Sequence, residues 1–303
     1  MSDMRVNLCG VTLKNPVIAA SGTFGYGMEY NEFYPISRLG GISCKGTAIE
    51  EWKGNPTPRI AETPAGMLNS VGLQNPGVDA LLNIYLPWLK GQDIVVIANA
   101  AGHSLEEYCA VAERLGDSAV DMVELNISCP NVKEGGVNFG TSCDSVARVT
   151  AEVKKRCGKP LMVKLTPNVA DIAEIAAAAE SAGADALSLI NTLTGMRIDL
   201  KTRRPIIHNN TGGLSGPAVF PVAVRMVREV YKRVNVPIVG MGGISSFEDA
   251  VEMMMAGAAA VQVGTGNFHD PYACLKIAEG LAAYAEQNGL DSITELTGCV
   301  QEW

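Results

Sequence analysis

The sequence predicts an α/β protein that folds as a single (β/α)8 barrel over residues 1–303. Its length of 303 residues suits one large barrel, and 47% hydrophobic with 18% charged residues is a globular composition. Eight short apolar runs alternate with helix-like segments from one end of the chain to the other. No linker, internal repeat or change of composition divides the chain, so we expect one domain.

The apolar runs are predicted to be the barrel strands. Each is short for a helix, and strands of a parallel sheet are buried on both faces and therefore almost continuously apolar. In chain order the predicted strands are residues 16–20, 41–44, 94–98, 122–126, 161–165, 186–190, 237–240 and 260–263.

The segments between these runs carry helical patterns. The clearest are residues 105–115, 144–156, 171–182, 217–233 and 246–256. Asp144 is predicted to cap the second of these helices, and Ser246 the last, where Glu248 and Asp249 make the first turn acidic. Gly183 and Gly257 follow two helices directly, where glycine fits the left-handed conformation that ends a helix.

A doubly wound sheet is the alternative α/β fold. It is disfavoured because the glycines of residues 22–27 (GTFGYG) lack the spacing of a dinucleotide-binding turn after the first strand. Residues 47–87 form a long, proline-rich insertion between the second and third strands. We expect this insertion to be an extended excursion over the carboxyl-terminal mouth of the barrel.

The charge balance is acidic, with 24 basic and 32 acidic residues and a formal net charge of −8. This balance disfavours nucleic acid and anionic membrane surfaces as partners, although a local basic pocket could still hold a phosphate. The first residues lack the pattern of a signal peptide, and no apolar run reaches membrane-spanning length. We therefore expect a cytoplasmic protein.

The eight cysteines are predicted to be reduced thiols, because a large chain without a secretion signal seldom uses a disulfide framework. No C-x-x-C pair occurs, and the three histidines are scattered. We expect no structural zinc, and no iron–sulfur cluster, on this chain.

Polar residues and glycines follow the predicted strands at their carboxyl ends, where barrel enzymes place their working residues. In strand order they are Ser21 and Gly22; Lys45 and Gly46; Asn99; Asn126; Lys164 and Thr166; Asn191 and Thr192; Gly242 and Gly243; and Gly264 and Thr265. The glycines after strands seven and eight predict a phosphate site formed by backbone N–H groups. The alternative is that both pairs are only tight turns.

Lys164 lies inside a strand that should be buried on both faces. A buried ammonium is costly unless it is paired, so Lys164 either pairs with an acid, with Glu124 as the candidate, or faces a bound anion. Lys45, at the barrel mouth, is likewise expected to pair with an acid or to face a bound anion. Lysines and asparagines that converge on one mouth indicate a planar, anionic ligand rich in amide groups.

Residues 126–131 (NISCPN) place Cys129 between amide side chains just after the fourth strand, and the glycine-containing segment 133–140 follows. A thiol in this position suits proton transfer or nucleophilic chemistry, and the segment could act as a lid. The alternative is a buried structural cysteine beside a turn.

These motifs closely resemble the class 1 dihydroorotate dehydrogenases. The resemblance also covers residues 54–60 (GNPTPRI), 67–77 (MLNSVGLQNPG) and 212–216 (GGLSG), and it runs essentially from end to end. Its details are most similar to the NAD-linked type B catalytic subunit. Class 2 enzymes carry a serine where Cys129 stands, which places this chain outside that class.

The resemblance implies a barrel that oxidises (S)-dihydroorotate to orotate in pyrimidine biosynthesis, with FMN as hydride acceptor and Cys129 as base. The implied FMN contacts are Ser21, Lys45, Gly46, Asn99, Asn126, Lys164, Ile190, Gly216, Gly242, Gly243, Gly264 and Thr265. The implied substrate contacts are Lys45, Asn69, Ser70, Val71, Gly72, Leu73, Asn126, Asn131, Asn191 and Thr192. It also implies a homodimer at the core of a heterotetramer, whose partner subunit carries FAD and a [2Fe-2S] cluster and passes electrons to NAD.

Three other functions stay open as hypotheses. Type A enzymes of the same class use fumarate as the electron acceptor at the same FMN. A dihydropyrimidine dehydrogenase-type barrel would reduce uracil or thymine and would not need to bind a carboxylate. A barrel that only binds a phosphate metabolite would have no redox role.

Overall fold

The computed structural model describes residues 2–128 and 139–303. Its central feature is a closed barrel in which each strand is parallel to its neighbours and the last strand pairs with the first. The strands are β1 (Val17–Ala19), β2 (Gly41–Ser43), β3 (Val95–Ala100), β4 (Met122–Asn126), β5 (Leu161–Lys164), β6 (Ala186–Leu189), β7 (Ile238–Met241) and β8 (Ala260–Val263). The predicted (β/α)8 barrel and its eight strands are confirmed.

The barrel strands are short and almost wholly buried, which explains their apolar sequences. Every residue of β4, β5 and β8 is buried, because one face points into the barrel and the other meets the surrounding helices. A few polar residues are nevertheless buried inside, notably Glu124 and Gln262, each 0% exposed. These exceptions lie beneath the mouth of the barrel.

Helices surround the barrel. The α-helices are Met28–Asn31, Val78–Ala80, Leu86–Lys90, Leu105–Gly116, Cys143–Lys154, Ile172–Ser181, Phe220–Tyr231, Phe247–Ala256, Gly266–His269 and Ala273–Gln287. Further helical turns are Ile36–Arg38, Leu81–Tyr85, Pro217–Val219 and Ile293–Leu296. Within residues 2–128 and 139–303, none of the helices has both the length and the apolar composition needed to cross a membrane.

The helix ends follow local side-chain chemistry, with one correction. Ser246 caps its helix as predicted, and Asp249 completes a reciprocal capping box with it. The prediction that Asp144 caps the helix Cys143–Lys154 was wrong, because the side chain of Ser142 accepts the hydrogen bond from the N–H of Ser145. Asp144 instead places its charge in the first turn.

The N-terminal segment forms a small antiparallel hairpin of Val6–Leu8 and Val11–Leu13. Leu8 and Leu13 are buried in the hydrophobic core, with exposures of 1% and 0%. Since the hairpin leads directly into the amino end of β1, it lies at the end of the barrel opposite the mouth.

The insertion after β2 differs from the prediction at its carboxyl end. The predicted excursion extends to residue 87, but helical structure begins at Val78–Ala80 and continues through Leu86–Lys90. The earlier part forms a hairpin, Ile60–Thr63 with Gly66–Asn69, rather than an isolated extended loop. Its buried residue Leu68, 2% exposed, belongs to the core of this region.

A second insertion, after β6, pairs with the first. Leu193–Gly195 and Gly212–Ser215 join the hairpin to make a four-stranded antiparallel sheet, with Gly213 opposite Asn69. A two-stranded ribbon, Ile198–Asp199 with Arg204–Pro205, extends from it. These strands were not among the predicted elements, and the sheet that they form lines the mouth of the barrel.

Candidate active site

A cavity of about 470 Å³ lies at the carboxyl ends of the barrel strands. Its wall combines the ends of β1, β2 and β4 to β8 with side chains from the four-stranded sheet above them. The size is that of a cavity for a small organic ligand or cofactor. The position is the one in which barrel enzymes bind their substrates.

The cavity brings together most of the predicted site residues. Those that line it are Ser21, Lys45, Asn69, Val71, Gly72, Leu73, Asn126, Lys164, Ile190, Asn191, Thr192, Gly242, Gly243, Gly264 and Thr265. This clustering agrees with the predicted site, although the ligand role of each residue stays a prediction.

The remaining predicted residues lie elsewhere. Asn99 is fully buried and contacts the cavity residue Asn126 through a hydrogen bond, while Ser70 is buried in the insertion. Gly216 lines an adjoining cavity of about 360 Å³ that shares Gly243 and Thr265 with the main one. Gly46 packs close to Asn99, since a Cβ added there would lie 3.0 Å from the Asn99 Oδ1 atom. Cys129, Asn131 and the lid residues 133–138 lie outside the described residues.

The turn after β7 has a backbone shape that suits an anion site. Gly242 and Gly243 have φ values of 120° and 81°, in the left-handed region that favours glycine. A Cβ at Gly243 would lie 2.7 Å from the Phe220 Cβ and 2.9 Å from the carbonyl oxygen of Gly216, so a side chain has no room there. Nearby, the Thr265 hydroxyl donates to Ser215 Oγ over 2.8 Å. Backbone N–H groups and hydroxyls so arranged can hold a phosphate.

Lys164 ends β5 and lines the cavity, with only 5% of its surface exposed. Within the described part of the chain, the ammonium group of Lys164 makes no hydrogen bond and no ion pair within 4.0 Å. The predicted pairing with Glu124 is therefore not a direct contact. A buried ammonium without an ion-pair partner is well placed to attract an anionic or electron-rich ligand.

Glu124 is fully buried inside the barrel beneath the cavity, and its carboxylate accepts four hydrogen bonds. Ser43 Oγ and Asn99 Nδ2 donate to Oε2 over 2.8 and 2.6 Å. Ser188 Oγ and Gln262 Nε2 donate to Oε1 over 2.7 and 2.8 Å. Burial would raise the pKa of this carboxyl, but the charge of the neighbouring lysine and these donors outweigh burial and hold the pKa below its usual range.

A chain of side-chain hydrogen bonds leads from this carboxylate to the cavity wall. Asn126 Nδ2 donates to Asn99 Oδ1 over 3.2 Å, and Ser128 Oγ donates to Asn126 Oδ1 over 3.0 Å. Asn191 Nδ2 in turn donates to Ser128 Oγ over 2.8 Å. The amides of the wall are therefore held in fixed orientations before any ligand arrives.

Sequence reasoning missed three members of this arrangement: Gln262, Ser215 and Ser128. Gln262 could have been found from the same signal as Lys164, since it is a polar residue inside an apolar strand. Ser215 lies within the GGLSG segment that was recognised only as a motif. Ser128 carried no signal of its own, because its contact with Asn191 joins residues 63 positions apart.

Cys44 directly precedes the cavity residue Lys45, but its surroundings are unsuitable for a catalytic base. Its side chain is 0% exposed, it does not line the cavity, and burial raises its pKa to about 12. Cys274 is equally buried, with its pKa also raised to about 12 by burial. Neither thiol is an available thiolate near neutral pH.

Fold and site together define an enzyme-type (β/α)8 barrel whose mouth suits an anionic ligand with amide-like groups. Comparison with known proteins agrees: the family model for dihydroorotate dehydrogenase matches residues 3–284. The chain belongs to the dihydroorotate dehydrogenase family, and it is an enzyme of that family.

Three relatives illustrate the similarity, each of which is a dihydroorotate dehydrogenase B (NAD(+)), catalytic subunit. The protein from Alkaliphilus oremlandii is 56% identical over 296 residues, which cover 98% of this chain and 98% of the relative. That from Bacillus cereus is 55% identical over 299 residues, covering 98% and 97%. That from Petrotoga mobilis is 51% identical over 300 residues, covering 99% and 100%.

The burial of Cys44 and Cys274 predicts how the native protein reacts with iodoacetamide at pH 8. With pKa values of about 12, only about one thiol in ten thousand is ionised, and neither is accessible, whereas Cys299 is exposed. Peptide mass spectrometry should find Cys299 modified and the two buried thiols untouched until the protein is denatured. Labelling of native Cys44 as fast as Cys299 would contradict this assignment.

Proposed function

We propose that this chain oxidises (S)-dihydroorotate to orotate in de novo pyrimidine biosynthesis, with FMN as its resident cofactor. The observation that carries the proposal is the juxtaposition of Lys164 and the glycine turns after β7 and β8 in one cavity. Such a cavity suits a cofactor with a phosphate at one end and an electron-accepting ring at the other. Family membership supports the same reaction.

The residues present fit FMN. Gly242, Gly243 and Gly216 have positive φ values and no room for a Cβ, so glycine is required at these turns, whose backbone N–H groups would hold the phosphate. Gly264 and Thr265 complete this end. At the other end, Lys164 would oppose negative charge on the flavin ring, and the other expected FMN contacts are Ser21, Lys45, Gly46, Asn99, Asn126 and Ile190. When bound, FMN supplies a two-electron acceptor for the hydride.

Substrate would bind against the face of the cavity formed by the first insertion and β6. Lys45 carries the positive charge for the carboxylate of dihydroorotate. Asn69 ends the hairpin strand that roofs the cavity, and Ser70, Val71, Gly72 and Leu73 come directly after it. Asn126, Asn191 and Thr192 supply amide and hydroxyl groups for the ring, with Asn131 as a further contact. Preoriented amides lower the entropy lost on binding.

Cys129 is the proposed base. Oxidation of the saturated C5–C6 bond requires removal of a proton from C5 as the hydride leaves C6, and a thiolate can accept that proton. Cys129 follows Ser128, which is 2% exposed and contacts Asn191 at the cavity wall. Since a free thiol titrates near ~8.5, the rate of this step should rise with pH unless the site lowers that value.

Electrons are proposed to leave through another protein. The relatives are named catalytic subunits of NAD-linked enzymes, which supports a separate electron-transfer subunit. We propose that this partner carries FAD and a [2Fe-2S] cluster and that it binds a homodimer of this chain to form a heterotetramer. Use of fumarate at the same FMN, as in type A enzymes, is the alternative.

The visible spectrum tests the function. Purified protein should show a flavin spectrum, release FMN on denaturation, and lose its absorbance when dihydroorotate is added without oxygen. Dihydrouracil, which lacks the carboxylate, serves as the matched control and should leave the flavin oxidised. Recovery of FAD, or of no flavin after reconstitution, would refute the cofactor, and reduction by dihydrouracil alone would favour the dihydropyrimidine dehydrogenase-type reaction.

Substitution of the cysteine tests the base. Cys129→Ala should keep FMN and bind orotate, yet lose nearly all flavin reduction by dihydroorotate in stopped-flow measurements, because no group accepts the C5 proton. Cys129→Ser should retain a little activity, since a hydroxyl is ionised far less often. Cys299→Ala, at an exposed position, is the control and should behave as the wild type. A normal rate in Cys129→Ala would exclude this residue as the base.

Steady-state assays test the electron acceptor. The isolated chain should reduce artificial dyes with dihydroorotate but scarcely reduce NAD, and addition of the partner subunit should restore NAD reduction. Fumarate is the competing acceptor in the same assay. Fumarate reduction by the chain alone, at the rate of dihydroorotate oxidation, would assign the enzyme to type A.

A further inference from the structure

The Glu124 carboxylate connects strands that are far apart in the sequence. Its donors come from Ser43 on β2, Asn99 on β3, Ser188 on β6 and Gln262 on β8. A carboxylate that accepts from four donors has no proton of its own to give. Glu124 therefore acts as a pure acceptor at the floor of the cavity.

That property determines the direction of every hydrogen bond that follows. Asn99 must point its NH2 group at the carboxylate, so its oxygen is the only atom left for Asn126. Asn126 must then offer its own NH2 to Asn99, and its oxygen accepts from the Ser128 hydroxyl. With its proton used in this way, the Ser128 oxygen accepts from Asn191. Rotation of any one amide by 180° would oppose two donors or two acceptors.

We propose that Glu124 is a positioning residue that sets the donor–acceptor polarity of the cavity wall. Asn126 uses one N–H on Asn99 and keeps the second as a donor on a side chain that lines the cavity. The wall at Asn126 is thus a hydrogen-bond donor, and it selects a ligand that offers an acceptor there, such as a carbonyl or carboxylate oxygen. This inference rests on the proposed function, in which dihydroorotate supplies such oxygens.

The same carboxylate also balances the charge of the neighbouring lysine. Glu124 and Lys164 attract one another without direct contact, and no other described carboxylate is buried in the core beside them. If Glu124 became neutral, the Lys164 charge would act on the cavity without this compensation. An electron added to a flavin there would then be stabilised, and the flavin midpoint potential would become more positive.

Two variants separate the charge from the orientation of the amides, with a third as control. Glu124→Gln removes the charge and can donate where the native group only accepts. Asn99→Leu keeps the charge but breaks the path to Asn126. Ser188→Ala removes one donor on the opposite carboxylate oxygen and leaves both the charge and Asn99 in place.

The experiment measures the FMN midpoint potential by dye equilibration and the orotate affinity from the shift of the flavin spectrum, on holoenzymes shown by circular dichroism to be folded. Glu124→Gln should move the potential to a more positive value and weaken orotate binding about tenfold, the effect of one or two misdirected hydrogen bonds. Asn99→Leu should weaken orotate binding without the positive shift. Ser188→Ala, which keeps the charge and the other three donors, should change both quantities less than Glu124→Gln does.

Two results would overturn the positioning role. One is a Glu124→Gln enzyme whose potential and orotate affinity match those of Ser188→Ala. The other is an Asn99→Leu enzyme that binds orotate as the wild type does, which would decide the question even if Glu124→Gln failed to fold. A wild-type protein that binds neither FMN nor orotate would overturn the proposed function and this inference together.

Discussion

The buried carboxylate of Glu124 is the interaction on which the rest of the structure depends. An ionised group in the interior is costly unless every acceptor position is satisfied, and here donors from four other strands satisfy it. These donors can meet only if the barrel closes in one register, in which Asn99 lies beside Glu124 and Ser188 beside Lys164. Because the buried carboxylate needs all of these donors, it favours this one strand register of the closed barrel over others.

The cavity has a polar, preorganised floor because that carboxylate lies directly beneath it. Its hydrogen bonds continue through Asn99 and Asn126 to the cavity wall. The side-chain amides of the wall are therefore oriented by a group in the barrel interior. The roof has a different origin, since two insertions pair across the mouth and bring Asn69 opposite Gly213. A rigid floor with a separately built roof is suited to holding a planar ligand while water is excluded.

Local signals were enough to predict the elements and much of the site. Apolar runs located all eight strands, and Ser246 with Asp249 marked a helix start that the structure confirms. Glycines after β7 and β8 and the lysine inside β5 pointed to the cavity that these residues line. The wrong capping prediction also concerned a local choice. Ser142 and Asp144 are both good capping residues, and Ser142, two positions earlier, caps the helix.

The sequence by itself determined the fold class, the positions of the strands and the chemistry available at their carboxyl ends. It did so because burial on two faces, helix termination and positive φ each leave a signature within a few residues. Only the tertiary structure decided how Gly66–Asn69 pairs with Gly212–Ser215, and which residues surround Glu124. Those contacts join distant positions, such as Asn69 and Gly213, which are 144 residues apart, and their geometry exists only after the chain has closed on itself.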